Sequence, residues 1–342
     1  MHSCDTTHLL MINTINFITF LQIFINILFL LNFSKISLYL SIYDLPGKRK
    51  IHSKPIPPLG GLLFYINFIF IFCVSKIISV ELFYFDDFFL IISSLIFILG
   101  LVDDKKDLNP FLKFLILIIL VVFHLILQNN FLINKFYLDF INFNVHLTYY
   151  QSFFFTTLCI LLFINASNLY DGINLQYSLY IFIFFSYLIF KNNDLELIKL
   201  LYLPLLFFIY LNLKNKCFLG DSGTLFISYL VAMIVISEHN NMKNLSISEI
   251  ILLMVLPGID MLRLFVKRIL NKKNPFTGDR DHIHHLLLYK FGLIKTNLIL
   301  ISLIIFPLIF FHLFSEYFIS ILLLTIIVYF CTLKILNQSK II

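Results

Sequence analysis

Residues 298–335 read LILISLIIFPLIFFHLFSEYFISILLLTIIVYFCTLKI, two long apolar runs separated by a short polar break. A helix needs roughly 20 apolar residues to cross the hydrocarbon core of a bilayer, and each run is close to that length. The charged residues of the stretch are Glu316, which lies in the break, and Lys334, which lies near the end. The stretch therefore predicts a pair of transmembrane helices.

The same apolar pattern recurs along the whole chain. Its 342 residues are 60% hydrophobic and 13% charged, and its mean hydropathy is +0.95. A soluble domain is nearer half apolar and a quarter charged, so this chain has too few polar side chains to cover a soluble globule. We predict an all-α polytopic membrane protein with a single domain, residues 1–342. The eleven predicted spans are 9–31, 59–79, 87–102, 111–128, 152–168, 173–190, 197–213, 222–237, 248–266, 298–314 and 317–335.

Lys and Arg residues are distributed unevenly between alternate loops. With the N-terminus outside, all but five of the 25 lie in segments that would face the cytoplasm, as the positive-inside rule requires. We therefore predict an outer N-terminus and a cytoplasmic C-terminus. The net charge of +6 follows from this asymmetry and does not indicate nucleic-acid binding.

Two smaller features complete the prediction of the fold. The outer segment 129–150 partly alternates apolar and polar residues, which predicts a small external β-hairpin. The five cysteines form no C-x-x-C pair, and most lie in or beside apolar runs. This pattern argues against a disulfide framework or a zinc site.

Five polar islands interrupt the apolar background, and each falls on the predicted cytoplasmic side. Numbered from 1 to 5, they are DLPGKRKIHSKPIPPLGG (44–61), GLVDDKKD (100–107), NASNLYDGIN (165–174), CFLGDSGT (217–224) and NPFTGDRDHIHHLLL (274–288). Their convergence on one face indicates a common site more strongly than any single island does.

Islands 1 and 5 are basic. Island 1 is either a positive-inside retention signal or a loop that receives phosphate. In island 5 the basic setting and the lack of a nearby thiolate favour an anion site over zinc. Just upstream, Asp260 and Arg263 are spaced to form an ion pair within a helix, which we interpret as structural. The basic residues are Lys48, Arg49, Lys50, His52 and Lys54 in island 1 and Arg280, His282, His284 and His285 in island 5.

Islands 2 and 4 contribute carboxylates. Asp103 and Asp104 lie where the third predicted span ends, and carboxylates at a helix C-terminus oppose the macrodipole, so capping does not explain them. Adjacent carboxylates suit metal binding or proton abstraction, and the alternative is an ordinary charged loop. Asp221 precedes the eighth span, where it is either an N-cap or a hard oxygen ligand for Mg²⁺.

Island 3 places Asn165, Asn168 and Asp171 three residues apart, so in a helix they would share one face. Such residues at the end of a membrane helix can be caps or solvated positions. Three of them in register, followed by Gly172, favour a site.

The five islands together combine groups for a hard cation with groups for phosphates. This combination suits a reaction between a soluble, Mg²⁺-bound phosphate donor and a lipid acceptor whose phosphate lies at the membrane interface. In order, from Asp44 to about Leu288, the islands resemble the signature loops of the polyprenyl-phosphate N-acetylhexosamine-1-phosphate transferase family, glycosyltransferase family 4. Island 5 is most similar to the undecaprenyl-phosphate GlcNAc-1-phosphate branch. It is less similar to the phospho-MurNAc-pentapeptide branch, which typically carries three consecutive histidines here.

The resemblance implies a reaction and a setting. A UDP-activated N-acetyl sugar, GlcNAc by default, would donate its sugar 1-phosphate to undecaprenyl phosphate. UMP would be released, and a lipid-linked cell-surface glycan would begin. The resemblance further implies a need for Mg²⁺, or Mn²⁺ in its place, and a location in the bacterial cytoplasmic (inner) membrane. A homodimer is compatible with it.

The resemblance also assigns roles to individual positions. Asp221 resembles the principal metal ligand and Asn168 a second one. Asp103 and Asp104 match paired catalytic aspartates, one of which deprotonates or orients the lipid phosphate. Direct attack by that phosphate is the favoured course, and a phospho-aspartate intermediate is the open alternative. The implied substrate-binding residues are Asp171, Asn174 and Phe218 around the uridine, Arg280, His282, His284 and His285 at the diphosphate or sugar, and Arg49, Lys50 and His52 in the first loop.

The chain departs from the family pattern in island 3. Many bacterial members read D-G-x-D-G-L there, whereas residues 171–176 read DGINLQ. Asn174 can still hydrogen-bond a uracil edge, but the nucleotide contacts or the choice of sugar would differ. Two rival functions remain, a polytopic transporter of lipid- or nucleotide-linked sugars and a non-catalytic scaffold. A transporter usually places ionisable residues near the bilayer midplane, which does not fit islands gathered at one face.

Overall fold

A computed structural model describes residues 2–47, 53–78, 86–242, 245–274 and 280–338. These residues form twelve α-helices and one two-stranded sheet. The helices are α1 (His2–Leu31), α2 (Phe33–Leu40), α3 (Gly60–Ile78), α4 (Asp87–Lys106), α5 (Pro110–Leu127), α6 (Tyr149–Tyr170), α7 (Gln176–Lys191), α8 (Glu196–Leu213), α9 (Gly220–Ser237), α10 (Ile247–Leu270), α11 (Ile283–Leu313) and α12 (Phe318–Gln338).

Each of the eleven predicted spans falls on one of these helices, and the additional helix, α2, is short. In the described part of the chain, eight helices are long and apolar enough to cross a membrane by length and composition. Helix α7 is apolar but shorter. The chain is therefore an all-α polytopic membrane protein, as its composition predicts.

The predicted hairpin within 129–150 is confirmed. Strands β1 (Lys135–Leu138) and β2 (Phe143–His146) pair antiparallel, with Leu138 opposite Phe143. The connection between them includes Asn142 in the left-handed conformation (φ 51°), which Asn tolerates better than most residues. Oγ of Ser248 donates a hydrogen bond to Asp139 in this connection (2.8 Å), so the start of α10 is fixed to the hairpin.

The C-terminal part of island 5 is helical, which corrects its prediction as a loop. Helix α11 begins at Ile283, well before the predicted span 298–314, and its backbone leaves helical geometry at Gly292 (φ 73°, ψ 175°). Ile283, Leu286 and Leu287 are buried on one side, whereas Tyr289 is exposed. This segment is amphipathic, so a search for continuous apolar runs does not find it.

The chain divides into two compact units. Unit 1 comprises residues 1–46, 52–107 and 181–227, and unit 2 comprises residues 47–51, 108–180 and 228–342. Unit 1 thus contains α1 to α4, α8 and the first turns of α9. Unit 2 contains α5, the hairpin, α6 and α10 to α12.

Buried amide side chains join helices inside unit 1. Nδ2 of Asn26 donates to Oδ1 of Asn67 (2.9 Å), and Nδ2 of Asn67 donates to Oδ1 of Asn26 (3.0 Å). Gln22 adds a third bond to Asn67 (3.2 Å), and all three side chains are fully buried. Lipid offers no hydrogen-bond partner, so polar groups in membrane helices pair with one another. We call this group the amide cluster; it fixes α1 against α3.

In unit 2, helix α10 packs against α6 and α11, and α11 packs against α12. Island 3 ends α6 and island 5 begins α11, so this packing brings islands 3 and 5 into one region of unit 2.

Candidate active site

Unit 1 joins islands 2 and 4 through Asp104. Its Oδ1 accepts a hydrogen bond from the backbone N–H of Asp221 (2.7 Å), and its Oδ2 accepts one from Ser222 (3.0 Å). The first N–H groups of a helix have no partner within that helix, so a carboxylate from α4 caps the N-terminus of α9. The prediction that capping does not explain this aspartate pair is therefore wrong for Asp104, which caps a different helix from its own.

The same contact bears on the N-cap interpretation of Asp221. Asp221 lies in the first turn of α9 rather than before it, and the capping acceptor is Asp104. The N-cap interpretation of Asp221 is therefore wrong. Its carboxylate is half-buried at a helix N-terminus, where the helix dipole favours negative charge.

Burial raises the pKa of the Asp104 carboxyl to about 6, because desolvation disfavours the charged form. Hydrogen bonds from Ser222 and Asp221 oppose this shift, and the negative charge of Asp103 adds to it. Asp104 lies beyond the predicted span 87–102. At neutral pH the group remains mostly ionised and can accept both backbone hydrogen bonds.

Gly220 makes this contact sterically possible. Its φ is +78°, a conformation that residues with a Cβ rarely adopt. A Cβ placed there would lie 2.6 Å from Oδ2 of Asp104 and 2.9 Å from Cβ of Pro58. The glycine before Asp221 is thus required by the approach of α4 to the start of α9.

Island 1 packs against island 4 through the backbone of unit 1. The N–H of Phe218 donates to the carbonyl of Pro57 (3.1 Å), and Gly60 and Gly61 donate to the carbonyls of Phe218 and Leu219 (2.9 Å each). These bonds fix the backbone of Phe218, whose ring is half-buried. The predicted binding residues Arg49, Lys50 and His52 lie outside the described residues.

Unit 2 holds the second part of the predicted site, around Asp260. Its Oδ1 accepts hydrogen bonds from Arg263 Nη2 (2.9 Å), the Tyr329 hydroxyl (2.6 Å) and the Ile283 backbone N–H (3.2 Å). Its Oδ2 accepts from Nδ1 of His282 (2.7 Å). The predicted Asp260–Arg263 ion pair is confirmed, and it also anchors island 5.

The connection between Asp260 and the histidines was not predicted from the sequence. A signal for it existed, because Asp260 lies within the predicted span 248–266. An ionisable residue inside a membrane segment indicates a functional site by default.

The histidines of island 5 form a compact cluster. The rings of His282 and His284 stack with centroids 5.2 Å apart, and the ring of His285 lies 4.3 Å from that of His284. Ligand atoms of Asp260, His282 and His284 lie within 4.8 Å of one another, a spacing that could hold a metal ion. However, Nδ1 of His282 and both carboxylate oxygens of Asp260 already accept or donate hydrogen bonds within the cluster. The geometry is that of a hydrogen-bonded network rather than an open cation site.

Island 3 meets this cluster at two points. Nε2 of Gln176 donates to Nδ1 of His284 (3.2 Å). A Cβ added at Gly172 would overlap Nε2 of the same ring, so only glycine allows the chain to pass this close. His284 is buried, and Nε2 has no hydrogen-bond partner in the described structure. The ring is therefore fixed from both sides by island 3.

The other residues of island 3 lie at the end of α6. Asn165 and Asn168 are in the last turns of the helix, and Asp171 is its C-cap, with its N–H donating to the Asn168 carbonyl (3.3 Å). Asn168, Asp171 and Asn174 are half-buried. The carbonyl of Asn174 accepts a hydrogen bond from Nδ2 of Asn297 (3.1 Å).

The departure from the family pattern has two structural consequences. Leu175 occupies the position where D-G-x-D-G-L has its second glycine, and its φ is +69°, so the backbone still adopts the conformation that glycine favours. Gln176 occupies the position of the leucine and supplies the contact to His284. Both substitutions lie beside the predicted binding residue Asn174.

The structure thus assembles the predicted residues in two groups. Unit 1 holds Asp103, Asp104, Phe218 and Asp221, and unit 2 holds Asn168, Asp171, Asn174, Arg280, His282, His284 and His285. Arg280 is exposed, and the neighbouring Asp281 is bonded to α10 through Arg263 (2.7 Å) and Lys267 (2.6 Å).

The chain is similar in sequence to known proteins over most of its length. The family model described as glycosyl transferase family 4 matches residues 88–239, which include islands 2, 3 and 4. A probable undecaprenyl-phosphate N-acetylglucosaminyl 1-phosphate transferase from Bacillus subtilis (strain 168) is 26% identical over 273 residues, covering 76% of this chain and 73% of the relative.

Two further relatives are named undecaprenyl-phosphate alpha-N-acetylglucosaminyl 1-phosphate transferases. The protein from Pasteurella multocida is 28% identical over 295 residues, covering 79% of this chain and 77% of its own. The protein from Thermotoga maritima is 27% identical over 262 residues, covering 74% and 75%. Residues 88–239 thus match glycosyl transferase family 4, and over about three quarters of its length the chain is similar to these three transferases.

Proposed function

We propose that this protein transfers N-acetylglucosamine 1-phosphate from a UDP-sugar to undecaprenyl phosphate, with release of UMP. The relatives named above carry this activity in their names. The observation that supports it most directly is the bond from Asp104 to the backbone of Asp221, because it joins two signature islands that are 117 residues apart in sequence. Such a reaction would start a lipid-linked glycan at the cell surface.

The order of the helices supports a site on one membrane face. Islands 2 and 3 lie at the C-terminal ends of α4 and α6, and islands 4 and 5 follow α8 and α10. One helix separates each of these four helices from the next. If α1 and α3 to α12 each cross the bilayer once, these four ends lie on the same side. The distribution of Lys and Arg makes that side cytoplasmic. We therefore propose eleven crossings, an outer N-terminus and a location in the bacterial inner membrane.

The carboxylates of unit 1 fit a hard cation such as Mg²⁺. Asp103 is close enough to Asp104 to raise its pKa, and Asp104 in turn contacts the first turn that carries Asp221. Grouped carboxylate oxygens are the ligands that Mg²⁺ prefers. Asp221 would hold the ion, and Asn168 is the second ligand that the resemblance implies. When bound, Mg²⁺ would neutralise charge that develops on the diphosphate.

Asp103 and Asp104 have different roles in the proposed reaction. Both carboxylate oxygens of Asp104 accept backbone hydrogen bonds, so Asp104 holds α9 and thereby orients Asp221. The proton-accepting or orienting role toward the lipid phosphate then belongs to Asp103, which is buried one residue earlier in α4. An oxygen of the lipid phosphate bonds to the phosphorus that carries the sugar, and the bond from that phosphorus to the UMP oxygen breaks.

The remaining groups bind and orient substrates. Phe218, on a backbone fixed by island 1, would stack on the uracil ring. The histidine cluster would hold the diphosphate or the sugar, with its rings locked by Asp260 and Gln176. Transfer between phosphates needs mainly alignment of the reacting atoms and stabilisation of charge, and these residues supply both.

UMP release tests the proposal. Purified protein would be incubated with undecaprenyl phosphate, Mg²⁺ and one donor at a time, either a UDP-N-acetylhexosamine or UDP-MurNAc-pentapeptide. We expect release from UDP-GlcNAc only when both lipid and metal are present. Release from the pentapeptide donor alone would place the chain in the other branch. No release with any donor from folded protein would favour a transporter.

A further inference from the structure

Asp260 is more completely bonded than an ion pair with Arg263 requires. Four donors from four places converge on its two oxygens: a guanidinium, a tyrosine hydroxyl, a backbone N–H and an imidazole. The side chain is buried, and His282 is buried with it. One of these bonds, from Nδ1 of His282, fixes the orientation and the tautomer of His282, which the proposed reaction uses.

A carboxylate bonded to Nδ1 fixes both the orientation and the protonation of an imidazole. The proton on the bonded nitrogen is held there, so Nε2 is the ring nitrogen that faces a ligand. Within the described residues, Nε2 of His282 has no hydrogen-bond partner. The ring is also prevented from turning by its stacking on His284.

The arrangement does not serve metal binding. A cation bound by Asp260 and His282 would have to displace hydrogen bonds of 2.7 and 2.9 Å from His282 and Arg263, and it would lie beside the guanidinium charge. The pairing with Arg263 instead balances the carboxylate charge, which permits its burial. The carboxylate then remains available to His282 as a fixed acceptor.

We propose that Asp260 is a positioning residue for the transfer reaction and acts through His282. The proposal rests on the function proposed above. Asp260 holds Nδ1 of His282 and sets the start of α11 through the Ile283 N–H, so that Nε2 is presented to a phosphate or sugar oxygen of the donor. Asp260 itself does not touch the substrate.

A double-mutant cycle tests this inference. Asp260→Asn, His282→Gln and the double variant are compared with the unmodified protein for UMP release at saturating lipid and Mg²⁺. We expect Asp260→Asn to lower kcat by at least about 100-fold, because the imidazole is no longer held in one orientation and tautomer. The double variant should be within about threefold of His282→Gln alone, because Asp260 acts only through that ring.

A second buried carboxylate of the same helix provides a matched control. Glu249 accepts a hydrogen bond from the Ser246 N–H in the capping box at the start of α10 and is as deeply buried as Asp260, but it lies in the first turn of the helix, outside the histidine cluster. Glu249→Gln should lower the melting temperature while leaving kcat within about threefold. If Asp260→Asn does not accumulate as folded protein, the charge-matched pair Asp260→Asn with Arg263→Gln replaces it in the cycle.

The outcomes separate this inference from the proposed function. Absence of UMP release in the unmodified protein would refute the function itself. An active unmodified protein in which the two substitutions act additively would refute the positioning role, as would an Asp260→Asn variant with full kcat. Zinc or another metal that copurifies with the protein and is lost in Asp260→Asn would also overturn the role. Non-additive loss in a folded, metal-free variant supports it.

Discussion

The carboxylate of Asp104 accepts hydrogen bonds from the backbone N–H groups of Asp221 and Ser222, so the end of α4 caps the start of α9. Two signature segments of the family therefore meet through a side chain and a helix terminus rather than through two side chains. The proposed metal ligand, Asp221, depends for its position on Asp104 of another helix.

Replacing Asp104 by Asn should weaken both stability and metal use. The oxygen of Asn can accept one of the two backbone hydrogen bonds. Its NH₂ group would face the other backbone N–H, and two donors cannot form a hydrogen bond. We expect a loss of about 1 kcal/mol in stability. The Mg²⁺ concentration for half-maximal UMP release should rise at least about tenfold, because Asp221 is held less firmly. Asp107→Asn is the matched control, because Asp107 is an exposed C-cap in a left-handed conformation that Asn tolerates. Equal metal titrations for both variants would contradict the capping role.

Substituting Asp221 by Asn should nearly abolish turnover. The amide oxygen carries no charge to offset that of the metal, and we expect kcat to fall by at least about 1,000-fold, equivalent to roughly 4 kcal/mol. Chelation of Mg²⁺ with EDTA should stop the unmodified enzyme, and added Mg²⁺ should restore it. Asp87→Asn removes a carboxylate from the first turn of another helix, where it pairs with Lys76 at the surface, and should leave turnover unchanged. Substantial activity in Asp221→Asn would remove this residue from the metal site.

Gln176→Leu restores the residue that the family pattern has at this position. The change removes the hydrogen bond to Nδ1 of His284, a buried ring that then has no fixed partner on that side. We expect kcat/KM for the UDP-sugar to fall about fivefold, in line with a net hydrogen-bond contribution of about 1 kcal/mol. Gln128→Leu breaks a comparable contact with His124 at the end of α5 and should not change kcat/KM. If Gln176→Leu were as active as the unmodified enzyme, the orientation of His284 would not depend on Gln176.

Leu175→Gly should stabilise the protein. The left-handed backbone at Leu175 carries a steric cost of about 1 kcal/mol that glycine does not incur. A higher melting temperature in detergent would show that this strain is relieved. Leu179→Gly, placed in regular helical backbone of α7, should instead lower stability by about 1 kcal/mol. A decrease for both variants would mean that packing of the Leu175 side chain outweighs its backbone strain.

Hydropathy predicted eleven of the twelve described α-helices, all except the short α2. Crossing a bilayer imposes a minimum length of apolar sequence, and each of the eleven apolar runs found in the sequence coincides with a described helix. The start of α11 was missed because Ile283–Phe291 is amphipathic, and one apolar face does not give a continuous apolar run.

The site was predictable in its residue types but not in its pairings. Asp104 and Asp221 are each recognisable as polar residues in apolar surroundings, but a bond between residues 117 positions apart depends on how α4 and α9 pack. Asp260 and Arg263 were predictable as a pair because a helix places residues three apart on one face. The bond to His282 was not, because it requires the start of α11 to lie against that face of α10.

The amide cluster of Gln22, Asn26 and Asn67 has a consequence for how the protein is made. Each amide would be costly to leave unpaired in hydrocarbon, and its partner is on another helix. Nδ2 of Asn67 also donates to the Leu63 carbonyl of its own helix, but its Oδ1 accepts from Gln22 and Asn26 of α1. We therefore expect α3 to insert more favourably beside α1 than alone. Helix α1 would thus assist the insertion of α3. Replacing α1 by a generic signal anchor should lower the yield of correctly inserted protein as well as its stability.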